Sequence, residues 1–172
     1  MNKSLIIYFS RADENYFGGE MKYIDKGNTE VIAEYIKELT DADIFKVEPL
    51  NPYPANYQEC ISEAKVRTNN HNVPIKENIT DISNYETIYI GSPIYWGGMP
   101  EELFTALKAL DFNGKNIKPF TTHEGSGLSN VPKQLSEICI GANILDGLAI
   151  VGSKVNDSRE QVEKWIELDF SN

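Results

Sequence analysis

The run Leu5-Ile6-Ile7-Tyr8-Phe9 is an unbroken apolar stretch rich in β-branched and aromatic residues. A strand with one face in water would alternate apolar and polar residues, so this continuous run predicts a strand that is covered on both faces. Such strands belong to parallel sheets with a layer of helices on each side. The polar pair Ser10-Arg11 follows at once and marks the end of the strand. The beginning of the chain therefore predicts an α/β fold.

The rest of the chain alternates short apolar strands with amphipathic helices. Further strands are predicted at 44–47, 87–90, 116–121 and 144–151, and helices at 31–39, 55–69, 101–110, 131–138 and 157–168. Five strand–helix units predict one domain over residues 1–172, built as a three-layer, doubly wound, five-stranded parallel sheet. Ligands of such folds lie beyond the carboxyl ends of the strands, where the strand order reverses. We therefore expect the chemistry in the loops that follow strands 1, 3 and 4.

Composition narrows the function classes. The 172 residues carry 26 acidic and 16 basic side chains, a net charge of −10, which disfavours nucleic acid as a partner. The negative charge is compatible with docking to a basic protein, or with solubility alone. No apolar run is long enough for a membrane span or a signal peptide, so we expect a cytoplasmic protein. Cys60 and Cys139 are far apart in sequence, and we interpret them as packing residues.

The first loop combines groups that bind a phosphate monoester. Ser10-Arg11 ends the first strand, and Lys26-Gly27-Asn28-Thr29 opens the first helix. The free N–H groups of a helix N-terminus point at an anion, and the hydroxyls of Ser10 and Thr29 can add hydrogen bonds. The alternative is that Asn28 or Thr29 only caps the helix.

The second loop suits a flat aromatic ligand. It runs Gly91-Ser92-Pro93-Ile94-Tyr95-Trp96-Gly97-Gly98-Met99-Pro100 and unites glycines with two large aromatic rings. The rings can stack on a ligand, and the glycines let backbone N–H groups approach it closely. The alternative is that Tyr95 and Trp96 are ordinary packing beneath a loop. Because the loop follows the third strand, where a ligand is expected, we favour the binding role.

The third loop is polar and flexible, and it reaches the same edge of the sheet. It contains His123-Glu124-Gly125-Ser126-Gly127. The Gly-Ser-Gly triplet is weak evidence by itself, because many loops contain one. His123 can contact a ligand or a substrate, but a lone histidine in a polar loop is more often solvated.

Together these three motifs resemble the flavodoxin-like family over nearly the whole chain. The pattern is similar to that of the small bacterial members whose second loop contains a tryptophan. The resemblance implies strand order 2-1-3-4-5 and non-covalent FMN as the cofactor. It assigns the phosphate to Ser10, Gly27, Asn28 and Thr29. It places the isoalloxazine ring beside Ser92, Pro93, Ile94, Tyr95, Trp96 and Gly97, with His123, Glu124, Gly125, Ser126 and Gly127 on its other side.

Residues 12–26 depart from the family pattern, in which Ser-Arg runs directly into Gly-Asn-Thr. This insertion either folds over the FMN site as a lid or hangs from the domain edge. As a lid it would use Gly18-Gly19 as a hinge and the rings of Tyr16, Phe17 and Tyr23 as an apolar face. The insertion leaves the role of Arg11 at the phosphate open. Lys26 stands where it could supply the nearby positive charge.

Three competing folds lack their signatures. The chain has no G-x-x-x-x-G-K-[ST] for a P-loop and no G-x-G-x-x-G after its first strand for a dinucleotide-binding domain. A receiver domain needs carboxylates where Ser10 and Gly91 stand. Three functions stay open: an electron carrier serving a redox partner protein, an NAD(P)H-dependent quinone or flavin reductase serving a small-molecule acceptor, and an FMN-binding regulatory or adaptor module. We assign no catalytic residue and no metal ligand.

Overall fold

A computed structural model describes residues 3–168 and confirms the α/β fold with a parallel central sheet. The strands are β1 (Lys3–Tyr8), β2 (Asp13–Phe17), β3 (Glu20–Ile24), β4 (Asp43–Lys46), β5 (Tyr85–Pro93), β6 (Asn116–His123), β7 (Asn143–Ile144) and β8 (Leu148–Val151). The helices are α1 (Asn28–Thr40), α2 (Tyr57–Arg67), α3 (Glu101–Leu107), α4 (Val131–Ile138) and α5 (Arg159–Leu168), with a 3₁₀ turn at Gly152–Asp157.

The main sheet has the order β4-β1-β5-β6, with β7 and β8 both pairing with the far edge of β6. All of these pairings are parallel. β1 lies inside the sheet, and its alternate side chains enter two separate cores. Leu5 and Ile7 pack in the layer of α2, α3 and α4, whereas Ile6 and Tyr8 pack in the layer of α1 and α5. Burial on both faces explains why the first strand is apolar throughout.

The predicted fifth strand, 144–151, is interrupted in the structure. The register against β6 pairs Ile117 with Ile144 but Phe120 with Leu148, so one extra residue lies between β7 and β8. Pro119 explains the interruption, because the next hydrogen bond of the ladder needs an N–H that proline lacks. The Leu145 N–H still donates to the Ile117 carbonyl at 2.8 Å, after which the pairing breaks.

The insertion forms a structured β-hairpin from β2 and β3. Gly18 and Gly19 have φ angles of 65° and 89°, the two positive values that a tight type I′ hairpin turn requires. They therefore make a hairpin turn, and the prediction that they form a hinge is wrong. At its base, the Glu14 N–H donates to the Ala55 carbonyl at 3.2 Å. The Glu14 carboxylate accepts from the N–H of Tyr57, the first residue of α2.

Helix boundaries follow local capping. The Asn56 side chain accepts from the Glu59 N–H at 2.9 Å and begins α2 two residues later than predicted. The last helix begins at Arg159, since the 3₁₀ turn occupies the residues before it. Within residues 3–168, none of the helices is long and apolar enough to cross a bilayer.

Candidate functional site

A cavity of about 500 Å³ opens at the carboxyl ends of β5 and β6, beside the first turn of α1. Its volume is in the range of small-molecule and cofactor sites. Most of the predicted site residues line it: Arg11, Asn28, Thr29, Pro93, Ile94, Tyr95, Trp96, Gly97, His123, Glu124, Gly125 and Ser126. The other predicted residues do not: Ser10, Lys26, Gly27, Ser92 and Gly127. The fold thus brings all three predicted loops to one cavity.

Ser10 and Gly27 shape the start of α1 from behind the cavity. The Ser10 hydroxyl accepts from the Glu30 N–H at 3.1 Å, which caps the helix from a distant part of the chain. A Cβ on Gly27 would lie 2.1 Å from that hydroxyl oxygen, so only glycine fits. Asn28 and Thr29 begin α1, so no helix carbonyl lies four residues before them to accept their N–H groups. They remain available to an anion at the helix N-terminus.

Buried polar contacts join this end of the cavity to the third loop. The hydroxyls of Thr29 and Thr122 form a hydrogen bond of 2.7 Å, and both residues are buried. A Cβ on Gly152 would lie 2.5 Å from Asn28 Nδ2 and 3.1 Å from Glu124 Oε1. The absence of a side chain at Gly152 therefore leaves room for Asn28 and Glu124. Thr122 and Gly152 were not predicted as site residues: Thr122 begins the third-loop pattern but was assigned no contact, and Gly152 belongs to none of the three loops.

The two basic residues predicted near the phosphate have other partners. The Arg11 guanidinium donates to the carbonyls of Glu14, Pro54 and Ala55 at 2.6–2.8 Å. Arg11 therefore anchors the base of the hairpin, although part of it lines the cavity. Lys26 lies outside the cavity and pairs with Glu34 at 2.7 Å. The structure thus gives no support to Lys26 as the charge beside the phosphate.

The aromatic loop makes a tight turn at the cavity mouth. Tyr95 and Gly98 exchange backbone hydrogen bonds, with Trp96 and Gly97 between them at φ angles of 51° and 84°. A positive φ is uncommon for tryptophan and costs free energy. The Trp96 indole N–H donates to the Ile61 carbonyl of α2 at 3.0 Å, which stabilises this conformation. Its ring remains 54% exposed at the rim.

Tyr95 forms the inner wall of the aromatic end. Its ring contacts Phe9 and Tyr53 edge to face, with centroids 5.7 Å and 5.4 Å away. Burial raises the pKa of the Tyr95 phenol well above its usual value, so the side chain is neutral at physiological pH. Its oxygen lies 4.0 Å from the Cys60 sulfur, and burial raises the pKa of that thiol as well. This wall is therefore uncharged.

The third loop is organised by its own polar atoms. The Gly125 N–H donates to His123 Nδ1 at 2.9 Å, and the Thr121 hydroxyl donates to the Gly127 carbonyl at the same distance. Burial lowers the pKa of His123, with Glu124 opposing the shift. An Nδ1 that accepts a hydrogen bond carries no proton, so the geometry and the pKa direction agree on a neutral ring.

Helix α2 provides a wall of the cavity that was not predicted from the sequence. Tyr57, Cys60, Ile61 and Ala64 all line the cavity, at the spacing of one helical face. The predicted helix has only a weak apolar face, and its buried members Cys60 and Ala64 contribute both to the core and to the cavity wall. The i, i+3, i+4, i+7 spacing was the available signal. Asn15 of the hairpin was missed as well.

The hairpin crosses one side of the cavity. Tyr16 lines it, with its ring centroid 6.0 Å from that of Tyr57. At the tip, the Gly18 N–H lies 3.4 Å from a Glu124 carboxylate oxygen on the opposite rim. Phe17 and Tyr23 do not line the cavity, and Tyr23 is 63% exposed. Of the three rings predicted to shield the site, only Tyr16 is placed to do so.

Comparison with known families decides the relationship. The sequence model of the flavodoxin family matches residues 21–169 of this chain. The chain belongs to the flavodoxin family. No curated protein matches it in sequence.

Solved structures with this flavodoxin fold cover nearly the whole chain. A candidate flavoprotein from Bacteroides uniformis has 28% identity and a TM-score of 0.74, over 96% of this chain and 98% of the other. One from Bacteroides eggerthii has 22% identity and a TM-score of 0.76, over 98% of both chains. A Lactobacillus acidophilus flavoprotein in complex with FMN has 24% identity and a TM-score of 0.59, over 91% of this chain and 98% of the other.

The residues of this flavodoxin-family chain fit a flat ligand that carries a phosphate. At one end, the available N–H groups at the start of α1 suit an anion. At the other, Tyr95 and Trp96 present neutral aromatic surface in a cavity long enough to include both ends. His123 and the glycine-rich loop give the third side. The polar and aromatic ends thus match the two parts of a flavin mononucleotide.

Proposed function

We propose that this chain holds FMN non-covalently in the cavity and transfers electrons through it. One observation carries the proposal: the N-terminus of α1, with the N–H groups of Asn28 and Thr29 available, and an aromatic turn open into the same cavity of about 500 Å³. When bound, FMN supplies the one- and two-electron chemistry that protein side chains lack. Membership of the flavodoxin family supports this cofactor, as does the FMN complex of the Lactobacillus acidophilus structure.

The N–H groups of Asn28 and Thr29 would hold the phosphate, helped by the side chain of Asn28. Arg11 and Lys26 already have partners, so hydrogen bonds and the dipole of α1 provide the attraction. Hydrogen bonds to a charged group contribute about 1.5–3 kcal/mol each. The phosphate site is therefore selective for an anion without needing a cation.

The aromatic turn and the third loop would orient the isoalloxazine. Tyr95 gives a fixed neutral surface, and Trp96 covers the mouth with a ring held by its bond to Ile61. His123 stays neutral. Its Nδ1 accepts from the Gly125 N–H, which leaves Nε2 for a contact with the ligand. Tyr16 and Trp96 would reduce water access to the ring, which keeps the surroundings of the electron carrier apolar.

The partner we propose is a redox protein with a basic docking surface. The net charge of −10 favours such a partner and accelerates its approach at low ionic strength. A carrier needs an accessible cofactor edge, and the exposed side chain of Trp96 places the aromatic end of the cavity at the protein surface.

A reductase is the second candidate, and the cavity wall favours it. Tyr16 and the α2 face extend the cavity beyond the three loops expected to hold FMN. This extra wall offers room for a small-molecule acceptor such as a quinone. An NAD(P)H-dependent enzyme would oxidise NAD(P)H steadily, with a quinone or free flavin as acceptor.

Anaerobic reduction of the FMN-loaded protein distinguishes these functions. A carrier is reduced by a flavodoxin reductase and then passes its electrons to a basic haem protein, while NAD(P)H alone leaves its visible spectrum unchanged. Rapid bleaching by NAD(P)H alone would instead establish the reductase. A bound flavin that neither route reduces would contradict both and leave the adaptor role.

A further inference from the structure

A buried tyrosine–carboxylate pair lies directly behind the aromatic end of the cavity. The Tyr53 hydroxyl donates to Glu102 at 2.5 Å from Oε1 and 3.1 Å from Oε2. Neither residue lines the cavity, and the Glu102 side chain is completely buried. A fully buried carboxylate costs considerable free energy unless it is paired and hydrogen-bonded. Such a costly group beside a candidate binding site calls for a role.

Glu102 is held rigidly from two sides. It lies in the first turn of α3, where the helix dipole favours a negative charge. One nitrogen of Arg67 lies 3.5 Å from its carboxylate. The Arg67 guanidinium is itself fixed by the Glu63 carboxylate and the Asn51 carbonyl, each at 2.9 Å. The acceptor that Tyr53 meets is therefore a fixed point in the fold.

Tyr53 transmits that fixed position to the cavity. Its ring lies under the Arg67 guanidinium, 4.1 Å from the centroid, and meets Tyr95 edge to face at 5.4 Å. Phe9 completes the cluster, 5.9 Å from Tyr53 and 5.7 Å from Tyr95. Edge-to-face contacts depend on ring orientation, so the angle of Tyr53 constrains the angle of Tyr95. Tyr95 is the member of the cluster that faces the cavity.

We infer that Glu102 and Tyr53 are positioning residues for flavin recognition, which act through Tyr95 on the ring end of the ligand and not on its phosphate. This inference rests on the proposed FMN site. It assigns the pair a selective effect: ring affinity depends on the Tyr53–Glu102 hydrogen bond, and phosphate affinity does not. Burial raises the pKa of Glu102, while Tyr53 and Arg67 oppose the shift, so both contacts favour the charged acceptor.

The test uses the full chain with Tyr53→Phe, which keeps the ring and deletes the hydroxyl. Tyr85→Phe is the matched control, because the Tyr85 hydroxyl donates to the Asp43 carboxylate at 2.6 Å, away from the cavity. Calorimetry gives the dissociation constants of FMN and of riboflavin, which has the ring without the phosphate. Visible circular dichroism of bound riboflavin reports the asymmetry of the ring's surroundings, which a loss of stability alone would not change.

We expect Tyr53→Phe to weaken FMN and riboflavin about tenfold each, so that the ratio of the two constants is unchanged, and to alter the dichroism. Glu102→Gln keeps an acceptor oxygen and should retain near-wild-type ring affinity. If Tyr53→Phe does not fold, the double variant Tyr53→Phe/Glu102→Gln is used instead, because it also removes the Glu102 charge that lost its donor. It should show the same tenfold loss of affinity for both flavins.

Two results would overturn the inference. One is a riboflavin dissociation constant in the Tyr53 variants that equals the one in Tyr85→Phe. The other is a loss confined to FMN, which would place the effect at the phosphate. Both leave the proposed function intact, whereas a wild-type chain that binds neither flavin would remove the proposed function and this inference together.

Discussion

Trp96 has an uncommon backbone conformation, an anchored indole nitrogen and an exposed ring at the cavity mouth. If the ring covers bound FMN, a chain whose only tryptophan is Trp96 should lose most of its fluorescence on FMN addition. Trp165→Phe provides that chain, since Trp165 is buried against Tyr89 and Phe120 in the opposite core. The Trp96→Phe variant, which keeps Trp165, should be quenched much less. Equal quenching in both variants would show that Trp96 is not in contact with the cofactor.

Gly27 is the residue on which the phosphate end depends most sharply. Gly27→Ala forces a methyl group against the Ser10 hydroxyl and the Arg11 carbonyl, and displaces the start of α1. We expect FMN affinity to fall at least tenfold, about 1.4 kcal/mol, with a smaller loss for riboflavin. Gly114→Ala is the control for lost stability: the position has no close neighbours, but its φ of 77° strains an alanine there, away from the cavity. Identical losses for the two flavins would place Gly27 outside the phosphate site.

His123 should make both the stability of the fold and its affinity for riboflavin depend on pH. Its pKa is lowered below the usual 6.5, so under mildly acidic conditions the unfolded chain binds a proton that the folded chain excludes. Stability should therefore fall as pH drops through 6.5, and riboflavin affinity should fall with it because protonation removes the acceptor for the Gly125 N–H. Riboflavin avoids the titration of the FMN phosphate. His123→Gln should flatten both profiles, and an unchanged slope in that variant would assign the pH dependence to other groups.

At the scale of elements, the hairpin of β2 and β3 behaves as a lid if FMN lies beneath it. Trypsin can cut after Lys22, which is exposed on β3. FMN should slow this cleavage several-fold, because Tyr16 and the Gly18–Glu124 contact bring the hairpin over the cavity. Tyr16→Ala should lose most of the protection while the domain stays folded. Cleavage at one rate with and without FMN would mean that the hairpin is independent of the site.

The elements differ in how far the sequence predicts them. β1 and β5 were predicted because their signal, a continuous apolar run, is local. The hairpin was missed although Gly18-Gly19 lies between pairing segments, because the flanking residues do not alternate clearly in polarity. The break between β7 and β8 was beyond local reasoning, since its cause, Pro119, lies on the neighbouring strand.

For the whole molecule, the three loops could be predicted to meet because parallel topology brings the carboxyl ends of the strands to one edge. The partners of individual side chains could not. The sequence left the role of Arg11 at the phosphate open and placed Lys26 where it could supply the charge. In the structure, Arg11 donates to nearby carbonyls and Lys26 pairs with Glu34. The α2 wall depends on which face of a helix turns to the cavity, and only the assembled sheet determines that.

The proposed function requires that one cavity binds both the phosphate and the ring of FMN, with the phosphate at the N-terminus of α1. Calorimetric titration of the cofactor-free protein with FMN and with riboflavin tests it most directly. The hydrogen bonds available at Asn28 and Thr29 predict that FMN binds at least about 100-fold more tightly, roughly 2.8 kcal/mol. Equal dissociation constants for the two flavins would contradict the account.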